Sequence, residues 1–235
     1  MTGRLHSIQS LGAVDGPGLR AVAFLQGCPL RCAYCHNPDT WDPAGGEEIE
    51  AASLAKRLLR YRGYWGKEGG VTVTGGEPLF QAAFVEELFT ILQGEGVHTA
   101  LDTSCTGDLA AAARVLDHTN LVLADLKFLT EEDYAKYCCG SLSRVEAFLR
   151  LTEQMGVPLW IRHVVVPGLT DGEAHIRALG EKASSFRNLQ KIELLPFRKL
   201  CLEKYRAMGI PFPLESVPEM DEAACEELAR ILPDL

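Results

Sequence analysis

With 235 residues, 47% of them hydrophobic and 23% charged, the chain can bury one substantial core and suits a single α/β barrel-type domain. Twenty-three basic residues against 32 acidic ones give a net charge of −9, which argues against a surface built for nucleic acid or anionic membrane. No apolar run approaches the roughly 18 residues that cross a bilayer, and none near Met1 resembles a secretory signal, so the expected location is the cytosol.

In chain order, residues 21–25 form a continuous apolar run, as expected of a strand buried on both faces. A helix is predicted over 47–62, with Ala51, Leu54, Ala55 and Leu58 on one stripe. Residues 71–74 read as the next strand, and Phe84, Val85, Leu88, Ile91 and Leu92 mark a helix that stops near Gly94 and Gly96. Strands at 97–101 and 121–124 flank a helix over 109–116. Helices over 131–137 and 144–154 precede a strand over 159–166. A helix over 171–184, a sixth strand over 191–195, a Pro-rich loop over 211–218 and a closing helix over 221–232 complete the pattern. Six strands alternating with helices predict a parallel sheet with right-handed crossovers, in one domain spanning 1–235. Both an incomplete α/β barrel and an open doubly wound sheet satisfy that alternation.

Eight cysteines occur, at 28, 32, 35, 105, 138, 139, 201 and 225. Three crowd into one loop after the first buried strand, as Cys28-Pro-Leu-Arg-Cys32-Ala-Tyr-Cys35, where α/β barrels place their active-site loops. The scatter of the rest does not suit a secreted disulfide scaffold. Soft thiolates at this spacing select chiefly zinc, copper(I) or iron–sulfur. Zinc would want a fourth protein ligand, and only His36 is adjacent. A four-iron cluster held by three thiolates would keep one iron open for chemistry. Metal-free buried thiols are the remaining reading.

The spacing of Cys28, Cys32 and Cys35, with Tyr34 before the last, resembles the signature of the radical S-adenosylmethionine superfamily. The blocks from Asp15-Gly-Pro-Gly-Leu-Arg20 through Thr40-Trp41, and Val71-Thr-Val-Thr-Gly-Gly-Glu-Pro78, are similar to the glycyl-radical-enzyme activases. So are His98-Thr-Ala-Leu-Asp-Thr103, Asp125-Leu-Lys127, the segment from Trp160 to Gly168 and Lys191-Ile-Glu-Leu-Leu-Pro196. Relatives with extra clusters insert cysteines after the trio, whereas residues 36–74 contain none, so the chain resembles the single-cluster group that acts on pyruvate formate-lyase.

That resemblance implies an incomplete (β/α)6 partial TIM barrel, with a [4Fe-4S] cluster on Cys28, Cys32 and Cys35 that reductively cleaves S-adenosylmethionine. The 5′-deoxyadenosyl radical then removes hydrogen from a glycine of the partner. Tyr34, Cys35, His36, Gly75, Gly76 and Glu77 are implied cofactor contacts, with the Glu77 carboxylate toward the methionine ammonium. Asp125, Leu126, Lys127, Arg162 and Arg198 are further implied contacts. Asp102, Thr103 and Asp125 are implied oxygens for a monovalent cation, and Asp15 is expected to position the substrate glycine. Period two puts Arg162 and His163 on opposite faces, with Arg162 inward beside Trp160 and Val164, and His163 packed outward. Arg198 departs from the family, which often carries a histidine after the Pro-aromatic pair. Cys105 stands where a glycine is usual and reads as a small buried residue, and Cys138, Cys139, Cys201 and Cys225 as structural or exposed thiols.

The implied partner is a glycyl radical enzyme, with flavodoxin or ferredoxin as electron donor, met transiently by a monomeric activase. Two rivals stay open on sequence: a radical enzyme for a small molecule or other peptide, and a non-catalytic zinc-binding module.

Overall fold

The computed structural model describes residues 1–233. It opens with β1 (Thr2–Gly12), antiparallel to β2 (Arg20–Leu25). β3 (Glu47–Glu50) pairs antiparallel with β1 and runs into α1 (Ala51–Leu59). There follow β4 (Gly70–Gly75), α2 (Ala82–Gly94), β5 (His98–Thr103), α3 (Leu109–Leu116), β6 (Leu121–Asp125), α4 (Glu131–Cys138) and α5 (Leu142–Met155). The chain ends through β7 (Leu159–Val165), α6 (Glu173–Ser184), β8 (Leu189–Pro196), α7 (Leu202–Met208) and α8 (Glu222–Ala229).

All strands join one sheet in the order β3-β1-β2-β4-β5-β6-β7-β8. β2 and β4 to β8 run parallel, as six apolar strands separated by helices require. Among the described residues the two edges, β3 and β8, do not meet, so the sheet is an open partial barrel. The six strands read from sequence are all present. The differences lie elsewhere: β1 was not expected, residues 47–50 form a strand instead of the first helical turn, and α7 follows the sixth strand.

Alternation sorts the side chains of the parallel strands. Val71, Val73, Leu101, Val122 and Ala124 face the helices and join the main core. Ala100, Leu121 and Leu123, with Trp160 against them, form a separate small cluster that fills the inside of the barrel. Above it the inward positions turn polar, at Thr74, Asp102, Asp125 and Arg162. Side-chain caps fix where the helices start: Asp108 accepts from Ala111 N, and Thr130 from Asp133 N, at 2.9 and 3.1 Å.

Candidate active site

The C-terminal ends of β2 and β4 to β8 surround a cavity of about 260 Å³. Its wall holds Cys28, Cys32, Tyr34, Cys35 and His36 from the loop after β2, and Thr74, Gly75 and Gly76 from the end of β4. Asp102, Thr103, Asp125, Lys127, Arg162 and Val164 close the far side.

The cysteine loop is held from below. Arg31 N and Ala33 N donate to the carbonyls of Cys138 and Tyr137, at 2.9 and 2.7 Å, which docks the loop on the free end of α4. The Cys138 thiol lies against that of Cys32. Burial pushes the Cys28 thiol up to about 12 and the Cys35 thiol up to about 11, with the Glu77 charge adding to the first. Thiolates in so dry a site call for metal charge to stabilise them. Among the described residues no three His, Cys, Asp or Glu side chains converge on a single ion. Three thiolates on one short loop suit a cluster with several irons.

Gly75 and Gly76 are required by the backbone itself. Gly75 has φ +119°, and a Cβ there would lie 2.2 Å from Leu25 N; at Gly76 it would lie 2.3 Å from Gly27 O. The loop is thereby drawn against the end of β2, with Gly76 N donating to Leu25 O and Glu77 N to Gly27 O. Glu77 departs from expectation: it is fully buried and does not line the cavity. Its Oε1 accepts from Leu79 N (2.9 Å) and Thr103 Oγ1 (2.6 Å), and its Oε2 from Ser104 N (2.8 Å) and Ser104 Oγ (2.5 Å). Every lone-pair direction is taken, so the carboxylate braces the β4 loop to the end of β5 and has none left for an ammonium.

On the far side, Asp125 Oδ2 and Lys127 Nζ pair at 2.7 Å. Burial works against the ammonium, but Asp125 and the neighbouring Cys32 outweigh it, and Lys127 stays charged, well above the ordinary lysine range. Arg162 faces inward as alternation demands, 3.2 Å from Asp102 Oδ2 and 3.4 Å from Glu193 Oε2. Asp102 also accepts from Thr74 Oγ1 at 2.8 Å. Burial nonetheless pushes its carboxyl up to about 6, with Asp125 adding to the effect of burial and Arg162 opposing it.

Of the oxygens expected for a monovalent cation, Asp102 Oδ2 is taken by Arg162 and Thr74, Asp125 Oδ2 by Lys127, and Thr103 Oγ1 donates to Glu77. Leu126 offers no side chain to the cavity, being fully buried. Arg198 is turned away, its guanidinium on Met220 O (2.9 Å) and Glu222, while its carbonyl accepts from His36 Nε2 at 2.9 Å. The packing of α8 against the sheet supplies those partners, and no local signal announces it. Asp15 sits before β2, at the end of that strand opposite the cysteines. Its carbonyl accepts from Thr72 Oγ1 at 2.6 Å, its Oδ2 is buried without a partner, and burial raises its carboxyl against the pull of Arg162. Sequence reasoning missed Leu30, Asn37, Thr40, Ser104, Leu195 and Pro196 in the cavity wall. Most lie inside or beside the recognised blocks, but spacing could not say which way they face.

Comparisons with known proteins agree with this geometry. A family model described as the Radical SAM superfamily matches residues 22–179. The pyruvate formate-lyase-activating enzyme of Clostridium pasteurianum is 44% identical over 235 residues, covering 99% of this chain and 98% of that protein. Its counterpart in Staphylococcus epidermidis is 42% identical over 240 residues, covering 98% and 95%. Among solved structures, a radical SAM methyltransferase from Sphaerobacter thermophilus shares the fold, with TM-score 0.64 and 15% identity over 91% of this chain and 63% of that one. A domain of a pyruvate-formate lyase-activating enzyme from Bacteroides vulgatus gives TM-score 0.58 and 24% identity, covering 70% of this chain and 92% of that one.

Proposed function

The chain belongs to the radical S-adenosylmethionine superfamily, within its group of pyruvate formate-lyase-activating enzymes, and on that premise we propose that it activates pyruvate formate-lyase or a close glycyl radical enzyme. The observation that carries the reading is one cavity wall in which Cys28, Cys32 and Cys35 face the charged pair Asp125–Lys127. This arrangement supports a cluster site and a zwitterion site side by side.

Cys28, Cys32 and Cys35 would hold a [4Fe-4S] cluster, which would supply the electron for reductive cleavage of S-adenosylmethionine and so for hydrogen abstraction from the partner glycine. The chain's own residues do the positioning. Lys127 presents an ammonium to a carboxylate, and Asp125 and Asp102 present oxygens to the cationic sulfonium and ammonium. Arg162 holds Asp102 in place from the barrel interior. Leu30, Tyr34, Val164, Leu195 and Pro196 line the remaining wall and exclude water, which a carbon radical requires. Asp15, with its unpartnered Oδ2, is our candidate for contact with the glycine-bearing segment.

We assign the electron supply to a reduced flavodoxin or ferredoxin, and the working form to a cytosolic monomer that meets its large partner transiently. Anaerobically reconstituted protein, a low-potential reductant, S-adenosylmethionine and pyruvate formate-lyase form the deciding mixture. A glycyl radical seen by electron paramagnetic resonance supports the proposal. 5′-Deoxyadenosine without a partner radical assigns the same chemistry to a different substrate.

A further inference from the structure

The turn 125–127 carries both charges of the Asp125–Lys127 pair, and it lies where β6 runs out of ladder. Asp125 is the last residue of β6 in register with β7, opposite Arg162. Beyond it the turn depends on other partners. Leu126 N donates to Arg162 O at 3.0 Å, and Lys127 N to Tyr134 Oη at 2.9 Å. The shortest of these contacts, 2.6 Å, joins Leu126 O to His163 Nδ1.

His163 follows Arg162 on β7 and points to the opposite face, where it is buried beneath α6. There its Nε2 lies 3.3 Å from Nε2 of His175, with the ring centroids 5.1 Å apart. The donor directions follow from the end of the chain of contacts. A carbonyl only accepts, so His163 Nδ1 carries a proton. In a neutral ring Nε2 is then the acceptor, and His175 Nε2 donates to it. Burial holds His163 neutral by pushing it down to about 4, and lowers His175 as well.

We propose that His163 and His175 form a positioning pair: His175 fixes the tautomer of His163, which grips Leu126 O and holds Asp125 and Lys127 in cofactor-binding geometry. The proposal rests on the reading of those two residues as contacts for S-adenosylmethionine. A free Leu126 carbonyl would let the peptide between residues 126 and 127 rotate and swing Lys127 out of the cavity wall. The pair also ties the strand end to α6, so the helix layer has a mechanical connection to the cavity.

The test is the affinity of the anaerobically reconstituted holoenzyme for S-adenosylmethionine, measured by calorimetry, with iron content and melting temperature as controls. His163→Phe, with no donor, is expected to weaken binding about tenfold or more at unchanged iron content, the usual scale for losing an outer-shell partner. His163→Asn, whose amide donates from the position of Nδ1, is expected to stay within about threefold of wild type. His175→Ala should fall between them. Should the Phe variant not fold, His163→Gln serves in its place, since its amide reaches His175 and not Leu126. Wild-type affinity in the Phe or Gln variant, or a loss in Asn equal to that in Phe, overturns the pair. Asp125→Asn and Lys127→Met separate the two levels. If these also bind normally, the cofactor reading of the turn fails; if they bind weakly while His163→Phe and His163→Gln do not, only the pair fails.

Discussion

Glu77→Gln separates a bracing carboxylate from one that touches the cofactor. In the folded chain the carboxylate accepts four hydrogen bonds and exposes none of its surface. Glutamine keeps one oxygen, enough for Leu79 N and Thr103 Oγ1, and turns an NH2 group toward Ser104. The Ser104 hydroxyl can rotate to accept, but the Ser104 amide cannot, so one buried donor faces another. Leaving a single buried donor unsatisfied costs about 1–3 kcal/mol. Removing a buried charge recovers part of that, since burial already disfavours the ionised form of Glu77. A net loss of about 1–2 kcal/mol follows, which for a chain of this size lowers the melting temperature by roughly 2–8 °C. Glu77→Ala strands two backbone amides as well as two hydroxyls and should cost about 3–6 kcal/mol. Urea denaturation gives the stability, and calorimetry on reconstituted protein gives the affinity for S-adenosylmethionine. A bracing role predicts that the Gln variant is destabilised yet binds within about threefold of wild type. Unchanged stability with a loss of affinity beyond about a hundredfold would refute the reasoning and return Glu77 to the cofactor.

Asp102 should make cofactor binding pH-dependent. Its folded carboxyl lies at about 6 against an ordinary 3.8, so its ionised form costs stability that is absent below 3.8 and fully felt above about 6. A cationic ligand favours that ionised form, so affinity should rise with pH up to about 6 and then level off; a flat wild-type profile, or a rise that survives Asp102→Asn, contradicts this. Cys105 holds φ +63°, a left-handed backbone that glycine takes freely and β-branched residues resist. Cys105→Gly should therefore stay within about 1 kcal/mol of wild type, while Cys105→Val loses about 2 kcal/mol or more in the same denaturation assay. Cys32→Ala should abolish retention of a four-iron cluster on reconstitution and, with it, 5′-deoxyadenosine formation; full iron occupancy would overturn the ligand assignment.

What the sequence disclosed follows the physics of each element. Most of the parallel strands were legible because strands covered on both faces are largely apolar, as in Ala21–Leu25, where four of five side chains are sealed from solvent. β1 escaped notice because it is an outer, antiparallel strand with half-exposed polar positions and two register shifts, which leave no clean period. Residues 47–50 read as a helix start because Glu-Glu-Ile-Glu suits a first helical turn; pairing with β1 overrode that propensity. In the site, spacing singled out the cysteines, the resemblance singled out Asp125 and Lys127, and strand alternation pointed Arg162 inward; all of them line one cavity. Glu77 and Arg198 lie outside that cavity wall, because their orientation depends on partners distant in sequence, Ser104 in one case and Met220 with Glu222 in the other.

The inward face of the barrel explains why the cavity should favour a cation. Register aligns Asp125, Arg162 and Glu193 across three neighbouring strands, and Asp102 reaches the same guanidinium from a fourth. Asp15 lies nearby with Arg20 beside it, Lys191 pairs with Glu193 at 2.6 Å, and Lys127 pairs with Asp125 at 2.7 Å, so each of these carboxylates has a cation close at hand. In a low-dielectric enclosure ionised carboxyls are nonetheless costly, and burial displaces Asp102 and Asp15 upward against the pull of Arg162. A ligand bearing both a sulfonium and an ammonium favours the ionised form of those carboxyls, whereas a neutral ligand does not. Lys127 and Arg162 still offer a partner for the ligand's carboxylate, so the charges select a zwitterion with surplus positive charge.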